Sequence, residues 1–307
     1  MTWEADLPGA AGRGELVAHF QPQIDPASGR IVAAEALCRW LHPTLGMVPP
    51  AEFIPVAEET GAILEIGGFM LETACAFASE SGVEVAVNVS AVQLADPGFS
   101  DRVVAACAGH GLEHSQLTLE LTESRPVSDL PEATAHLARL RALGNNISMD
   151  DFGIGHSSVK QLNALPFTEL KLDQSLVRDD TEETWTRVAS LVAVARHRGM
   201  RIVAEGIETK EQYDHIRDAD CDRAQGYFLG MPMPADEFAA YYGTHQRTPL
   251  PRLTRPVARA LATLGVRNLE EPAARRRGDI SALRGLGPRA IESLTAALSA
   301  AGLAFTE

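Results

Sequence analysis

Short apolar runs separated mostly by helical stretches recur eight times in this chain, and this repetition limits the possible folds more than any other feature. The runs are residues 16–21, 31–37, 85–89, 117–121, 146–150, 169–172, 201–205 and 224–228. One intervening stretch, Ala133 to Leu143, places Leu137 and Leu140 on one helical face. Strands that alternate with helices predict a parallel sheet, and eight such strands predict closure into a TIM-like (β/α)₈ barrel of the α/β class.

Seven polar side chains share one position, because each lies in or just past one of these apolar runs and before a helical stretch. They are Glu35, Asn88, Glu120, Asp150, Asp151, Lys171 and Glu205. The carboxyl ends of barrel strands meet at one face, where barrel enzymes carry their active sites. Five carboxylates and one amide oxygen are donors that hard divalent cations prefer. The pattern therefore predicts a metal site at the mouth of the barrel.

Each of these residues alone has a simpler explanation. A single Glu35, Glu120 or Glu205 is more often solvated or salt-bridged, and a single Asn88 more often caps a turn. The pair Asp150-Asp151 can begin a turn at Gly153. Their joint recurrence at strand ends is what favours metal ligation over these alternatives.

Length and composition are compatible with a barrel and a small appendage. The chain has 307 residues, and a barrel of this kind takes about 250. Its four cysteines are widely spaced without a C-x-x-C pair, which argues against a zinc site or a disulfide framework. We see no leader peptide and no apolar run of about 18 residues, so we expect a cytoplasmic protein without a membrane span.

Charge divides the chain into two parts. Residues 247–307 hold ten arginines, no lysine and five acids, while the whole chain carries −14, so residues 1–246 carry −19. Pro249, Pro251 and Pro256 mark a linker at the boundary. We therefore expect a barrel domain over residues 1–246, followed over residues 247–307 by a linker and a small all-α module.

Eight motifs between about residues 15 and 242 resemble, in order, those of the EAL-domain family of cyclic-di-GMP phosphodiesterases. They are Glu35-Ala36-Leu37-Cys38-Arg39-Trp40, the loop 50–61, Asn88-Val89-Ser90, Glu120-Leu121-Thr122-Glu123, Asp150-Asp151-Phe152-Gly153, Lys171-Leu172-Asp173, Ala204-Glu205-Gly206-Ile207-Glu208 and Gln225-Gly226-Tyr227. One such motif alone would carry no weight, but eight in the family's order make chance agreement negligible.

The resemblance implies a role for each matching residue. One Mg²⁺ or Mn²⁺ ion would be ligated by Glu35, Asn88, Glu120 and Asp150, with Asp150 bridging to a second ion that Asp151 also ligates. The attacking water would be positioned by Lys171 and Glu205, with Gln225 nearby. The substrate would be contacted by Gln21, Leu37, Arg39 and Asp173. The loop after the fifth strand and the surroundings of the site would be braced by Glu123 and Glu208.

The reaction implied is hydrolysis of cyclic di-GMP to linear pGpG. Two cations about 3.5–4 Å apart neutralise the phosphate, lower the pKa of water and stabilise both in-line oxygens. Family members often pair through the loop after strand five, so a homodimer is expected. In that loop Ile154 and His156 replace the usual Thr and Tyr, which predicts reduced or tuned activity. The alternative is a catalytically weak receptor for cyclic di-GMP.

The basic tail resembles a helix-hairpin-helix module like the C-terminal domain of the RNA polymerase alpha subunit. The matching piece runs from Leu283 to Leu298 around the turn Gly285-Leu286-Gly287. In such modules the glycine turn and the arginines near it contact DNA phosphates, which here would involve Arg284, Gly285, Gly287 and Arg289. A helical module that binds a protein partner is an equal alternative, and the acidic barrel opposes DNA binding by repulsion.

Overall fold

The structure is a computed structural model, and it divides the chain into two compact units. One unit comprises Met1–Pro26 and Ile31–Ala239, and the other Ala27–Arg30 and Ala240–Glu307. The residues described are 3–122, 131–152, 162, 164–178, 181–245, 248, 250–251, 253–266 and 268–306. Within these ranges the side chains of residues 122, 151, 255 and 262 are not described.

Nine strands form one sheet in the first unit. They are β1 Leu16–Ile24, β2 Ile31–His42, β3 Gly46–Val48, β4 Glu84–Val89, β5 Leu117–Thr122, β6 Asn146–Phe152, β7 Glu169–Leu172, β8 Arg201–Ala204 and β9 Arg223–Ala224. The sheet order is β1-β9-β8-β7-β6-β5-β4-β2-β3, and β1 also pairs with β2. All strands except β3 thus form a closed ring, which confirms the predicted eight-stranded barrel.

Helices follow most of the strands. Those of the first unit are α1 Pro50–Thr60, α2 Ile63–Ser81, α3 Ala91–Leu94, α4 Phe99–Gly109, α5 Pro131–Leu143, α6 Ser175–Arg178, α7 Glu182–His197, α8 Lys210–Asp218 and α9 Ala235–His245, which runs across the boundary at residue 239. Short 3₁₀ helices cover Trp3–Asp6 and His114–Gln116. The predicted face of α5 is buried, since Leu137 and Leu140 are fully covered.

One strand runs against the predicted parallel arrangement. β1 pairs antiparallel with both β2 and β9. The connection from β1 to β2 is only residues 25–30, and a parallel pair needs a crossover of a dozen or more residues. The other neighbouring pairs in the ring are parallel. They are β2–β4, β4–β5, β5–β6, β6–β7, β7–β8 and β8–β9.

Two further elements differ from the sequence-based expectation. The predicted last strand, 224–228, is only Arg223–Ala224, so Gln225 and Gly226 belong to the loop at the barrel mouth. The motif 50–61 is not a loop either, because Pro50–Thr60 form the helix α1. The first unit has a large apolar core, in which Trp40 and Phe53 are fully buried.

The second unit has a small apolar core of its own. Its remaining helices are α10 Arg255–Thr263, α11 Glu270–Ala273, α12 Arg277–Ser281 and α13 Pro288–Ala300. One face of α13 packs in this core through Ile291, Leu294 and Leu298. Gly285 has a φ of +105°, which favours glycine, and Gly287 precedes Pro288 as the N-cap of α13.

Among the described residues, no helix combines the length and the apolar character needed to cross a bilayer.

Candidate functional site

The barrel brings the predicted polar residues to one mouth. Strand register places Asn88 of β4 directly opposite Glu120 of β5, and Gln21 of β1 opposite Glu35 of β2. Glu35 lies where β2 leaves the barrel, because β2 pairs with β4 only over residues 33–36 and then continues into the hairpin with β3. Residues at matching heights on neighbouring strands therefore face a common space.

Lys171 of β7 occupies the centre of this space. Its Nζ lies 2.6 Å from Glu205 Oε1, 2.7 Å from Glu120 Oε2, 3.3 Å from Glu35 Oε2 and 3.5 Å from Asp150 Oδ1. The lysine side chain is only 1% exposed. Four carboxylates thus converge on one buried ammonium group.

Glu35 is also held by amide side chains. Its Oε1 accepts a hydrogen bond from Asn88 Nδ2 at 2.7 Å, and its Oε2 accepts one from Gln225 Nε2 at 2.7 Å. Gln225 also donates to Gln21 Oε1 at 3.0 Å, and its own Oε1 accepts from Gln23 Nε2 at 3.0 Å. This chain of amides fixes the carboxylate of Glu35 in one orientation.

The protonation preferences of the four groups differ. Burial opposes the charge of Lys171, but the surrounding carboxylates outweigh it and raise the lysine pKa well above its usual value. Burial also opposes ionisation of Glu35, but Lys171, Gln225 and Asn88 hold the pKa of that carboxyl below normal. Burial and the charge of Glu35 raise the pKa of Glu120 well above normal, and burial raises the pKa of Glu205 to about 8.

The donor set fits a hard divalent cation. Glu120 Oε1 is buried and has no hydrogen-bond partner among the described residues, which is costly for a carboxylate oxygen unless a cation is bound. As placed, no three described His, Cys, Asp or Glu side chains form a ready-made metal site, and the carboxylates instead converge on Lys171 Nζ. Binding a cation here therefore requires Lys171 and the carboxylates to rearrange.

Two cavities meet at these residues. A polar cavity of about 310 Å³ contains the Lys171 cluster, and a more apolar one of about 630 Å³ lies against α1 and α2. Glu35, Leu37 and Asp150 line both cavities. The apolar cavity is bounded by Ile54 and Met70 on the helices. A ligand that has both charged and flat apolar parts would therefore find complementary surfaces on either side of the carboxylates.

The remaining predicted substrate residues lie in and around the polar cavity. Leu37 lines it and, with Arg39, follows Glu35 at alternate positions of β2, which places the three on one face of that strand. Arg39 is half-buried and its Nη1 donates to the Cys38 carbonyl oxygen at 2.8 Å. Asp173 is buried in the cavity wall, and its Oδ1 accepts from the Ser175 backbone N–H at 2.7 Å, which fixes the start of α6.

Several predicted residues fall outside the described part of the chain. Glu123, Ile154 and His156 belong to ranges that are not described, and Asp151 is described only in its backbone, within β6. Their predicted roles therefore stay predictions.

Some residues that line the polar cavity, or that contact its lining residues, were not assigned a role from the sequence. Gln23 of β1 donates a hydrogen bond to Gln225. The sequence feature that could have identified Gln23 is its position two residues after Gln21, on the same face of the strand. Arg178, Gln174 and Tyr227 line the polar cavity at its exposed edge. Tyr227 follows Gln225 in the Q-G-Y motif, whereas nothing in the sequence pattern singled out Arg178.

A glycine fixes the loop that carries Gln225. A Cβ atom on Gly226 would lie 2.2 Å from the backbone nitrogen and oxygen of Ile207, which no side chain can tolerate. The loops after β8 and β9 therefore touch backbone to backbone, and this contact sets Glu205 and Gln225 side by side.

Comparison with known proteins identifies the family. A family model described as the EAL domain matches residues 4–232. An uncharacterized signaling protein of Caulobacter vibrioides is 42% identical over 75% of this chain and 29% of its own length. The Pseudomonas aeruginosa protein named bifunctional diguanylate cyclase/cyclic di-GMP phosphodiesterase MucR is 39% identical over 76% of this chain and 36% of its own length.

A solved structure gives the same result. The structure named PaMucR phosphodiesterase, c-di-GMP complex, superposes with a TM-score of 0.71 at 39% identity and covers 76% of this chain and 98% of that one. The chain spans only about a third of the curated relatives, so the likeness concerns one domain of those longer proteins. The fold, the order of the motifs and these matches agree, and the chain belongs to the EAL-domain family.

Proposed function

We propose that the barrel hydrolyses cyclic di-GMP to linear pGpG with the help of two divalent cations, Mg²⁺ or Mn²⁺. The observation that carries this proposal is the convergence of Glu35, Glu120, Asp150 and Glu205 on one point at the barrel mouth. The similarity to MucR, which is named a cyclic di-GMP phosphodiesterase and whose solved structure is a c-di-GMP complex, supports the choice of substrate.

The cations would be held by the oxygen donors of the site. Glu35, Asn88, Glu120 and Asp150 would ligate one ion, and Asp150 and Asp151 the other. Two observations support this assignment. Glu120 Oε1 has no hydrogen-bond partner among the residues that the structure describes, and Asn88 Nδ2 lies 2.7 Å from Glu35 Oε1. When bound, the ions would supply charge neutralisation at the phosphate and a water of lowered pKa.

The other residues of the cluster would handle the attacking water. Glu205, which lies 2.6 Å from Lys171 Nζ in the cluster, would accept a proton from water as the water oxygen bonds to phosphorus. Lys171, which lies 2.6 Å from Glu205, would stabilise the negative charge that develops there, and Gln225 would orient Glu35. The bond from phosphorus to the 3′ oxygen breaks, and that oxygen takes up a proton to leave linear pGpG.

Substrate contacts would come from the walls around the cluster. Gln21, Leu37, Arg39 and Asp173 would bind the nucleotide, and the position of Gln21 beside Gln225 supports this. Glu208 would brace the loop after β8, since its backbone N–H donates to Gln212 Oε1 at 2.7 Å. Glu123 would brace the loop after β6, which is the fifth of the strands predicted from the sequence.

A turnover assay tests the proposal directly. Purified full-length chain is incubated with cyclic di-GMP and Mg²⁺ or Mn²⁺, and in parallel with a chelator, and pGpG is measured by chromatography. We expect product only with metal. Tight nucleotide binding without product would favour the receptor alternative, which the replacements Ile154 and His156 motivate, and neither binding nor product would refute both.

A homodimer formed through the loop after β6 is also part of the proposal. Light scattering of the purified chain would give its mass in solution, and a monomer at all concentrations would remove this element.

We propose that the second unit binds an anionic partner, with DNA phosphates or an acidic protein as the candidates. Arg284 and Arg289 flank the turn that contains Gly285 and Gly287, and all four are exposed. Arg275, Arg276 and Arg277 are exposed in the same unit. Clustered arginines on a small domain favour contacts with phosphates, which position a protein on DNA without reading its sequence.

Replacing Arg284 and Arg289 by glutamine in the full-length chain is expected to weaken DNA binding and to flatten its salt dependence. Each lost phosphate contact lowers the slope of log affinity against log salt by about 0.9. Gel shifts across a salt series measure both effects, and Glu292→Gln, which removes an exposed acid of the same unit, is the matched control. Equal DNA affinity of wild type and the double variant would leave a protein partner as the remaining candidate.

A further inference from the structure

The mouth of the polar cavity carries a charged pair that no step of the proposed hydrolysis uses. Arg178 Nη2 lies 3.3 Å from Glu208 Oε1, and the two side chains are 57% and 45% exposed. Arg178 is the last residue of α6, and Glu208 lies in the loop after β8. Both line the polar cavity. A pair this exposed adds little to stability, so its place at the cavity mouth calls for another explanation.

Arg178 is the cation of this cavity that an incoming ligand can reach. Of the described residues that line the cavity, only Lys171 and Arg178 carry a positive charge. Lys171 is 1% exposed and engaged by four carboxylates. The guanidinium of Arg178 has five N–H donors in a rigid fork, and its contact with Glu208 Oε1 uses one nitrogen, Nη2.

A flat aromatic side chain lies at the same mouth. Tyr227 is 61% exposed and lines the cavity together with Arg178 and Glu208. Aromatic rings give purine bases a stacking surface that does not discriminate between them. A base held there would present its edge to the polar groups of the mouth, and those groups would decide which base is accepted.

We infer that Arg178 and Glu208 together read one guanine base of the nucleotide, an inference that rests on the proposed function. Guanine carries two neighbouring acceptors, O6 and N7, which match the arginine fork. Its N1–H and 2-amino group are donors that match the carboxylate of Glu208. Adenine has an amino donor where guanine has O6, so it turns a donor towards the donors of Arg178. The pair therefore favours guanine and rejects adenine.

The test compares two nucleotides on one variant. Arg178→Lys keeps the charge and removes the fork. The KM for cyclic di-GMP and the inhibition constant of cyclic di-AMP against that reaction are measured for the full-length chain. We expect the KM to rise about tenfold or more with kcat little changed, because a bidentate contact to guanine contributes about 1–3 kcal/mol of discrimination. We expect the inhibition constant of cyclic di-AMP to stay the same. The ratio of that constant to the KM for cyclic di-GMP, which measures the preference for guanine, therefore falls.

The controls separate base reading from other effects. Glu208→Gln is expected to raise the KM in the same direction. Lys210→Gln disrupts an exposed pair with Asp214 that lies outside the cavity and should leave both constants unchanged. An unchanged guanine preference in Arg178→Lys would overturn the inference, as would equal weakening of both nucleotides, which would indicate a phosphate contact. If the wild-type chain shows no turnover, the proposed function fails, and direct binding of the two nucleotides still decides the base preference.

Discussion

Replacing Glu35 by alanine is expected to abolish hydrolysis of cyclic di-GMP while leaving the barrel folded. The carboxylate of Glu35 is contacted by Asn88, Gln225 and Lys171. Its removal takes away a proposed cation ligand and leaves the two amides without their hydrogen-bond acceptor. Losing a single electrostatic group at a reacting centre costs about 10²- to 10³-fold in kcat. Losing a ligand of the cation should lower kcat by at least that much. Asp150→Ala should have the same effect.

The measurement is the initial rate of pGpG formation at saturating Mg²⁺ or Mn²⁺, with circular dichroism to verify folding. Glu72→Ala is the matched control, because Glu72 is an exposed glutamate of α2 that pairs with His110 far from the cluster in sequence and outside both cavities. A near-normal rate in Glu35→Ala would remove Glu35 from the ligand set, and a near-normal rate in Asp150→Ala would do the same for Asp150.

The order of strands and the place of the site could be predicted because both depend on local patterns. Apolar runs of strand length with a polar residue at one end, such as the run that ends in Asp150, already place that residue at the barrel mouth. The antiparallel direction of β1 was not predicted, although the connection after Ile24 is too short for a parallel crossover to β2. The short length of β9 was not predicted either, because Tyr227 and Phe228 extend the apolar run beyond the last ladder bond.

The interactions that could not be predicted join distant parts of the chain. At the opposite end of the barrel, Glu169 at the start of β7 lies 3.1 Å from Arg201 at the start of β8. Arg201 also lies 3.2 Å from Glu84, and Arg223 pairs with the same Glu84. Nothing in the local sequence links residue 84 to residue 223. The same holds for Lys171, which was expected beside the metal site and instead lies at the point where four carboxylates meet.

That central position makes Lys171 the residue whose replacement should affect stability most. In Lys171→Met the carboxylates of Glu35, Glu120, Asp150 and Glu205 lose the cation that they share. Removing one partner of a buried ion pair costs about 3–5 kcal/mol, because the remaining charges stay buried and uncompensated. We expect the urea midpoint of the barrel transition to fall in the presence of chelator, and Mg²⁺ or Mn²⁺ to stabilise this variant more than wild type.

Glu120→Gln should not destabilise the barrel as Lys171→Met does, and the comparison separates the effect of charge from that of packing. Burial and the charge of Glu35 already disfavour the ionised form of Glu120 and raise its pKa, so a neutral amide of the same shape relieves repulsion. Its carbonyl oxygen can still accept the hydrogen bond from Lys171. We expect a urea midpoint in chelator equal to or above that of wild type, together with loss of turnover and of stabilisation by metal. If Lys171→Met and Glu120→Gln were destabilised alike, packing rather than charge balance would determine the stability of the cluster. The proposal that its carboxylates form a cation site would then lose this support.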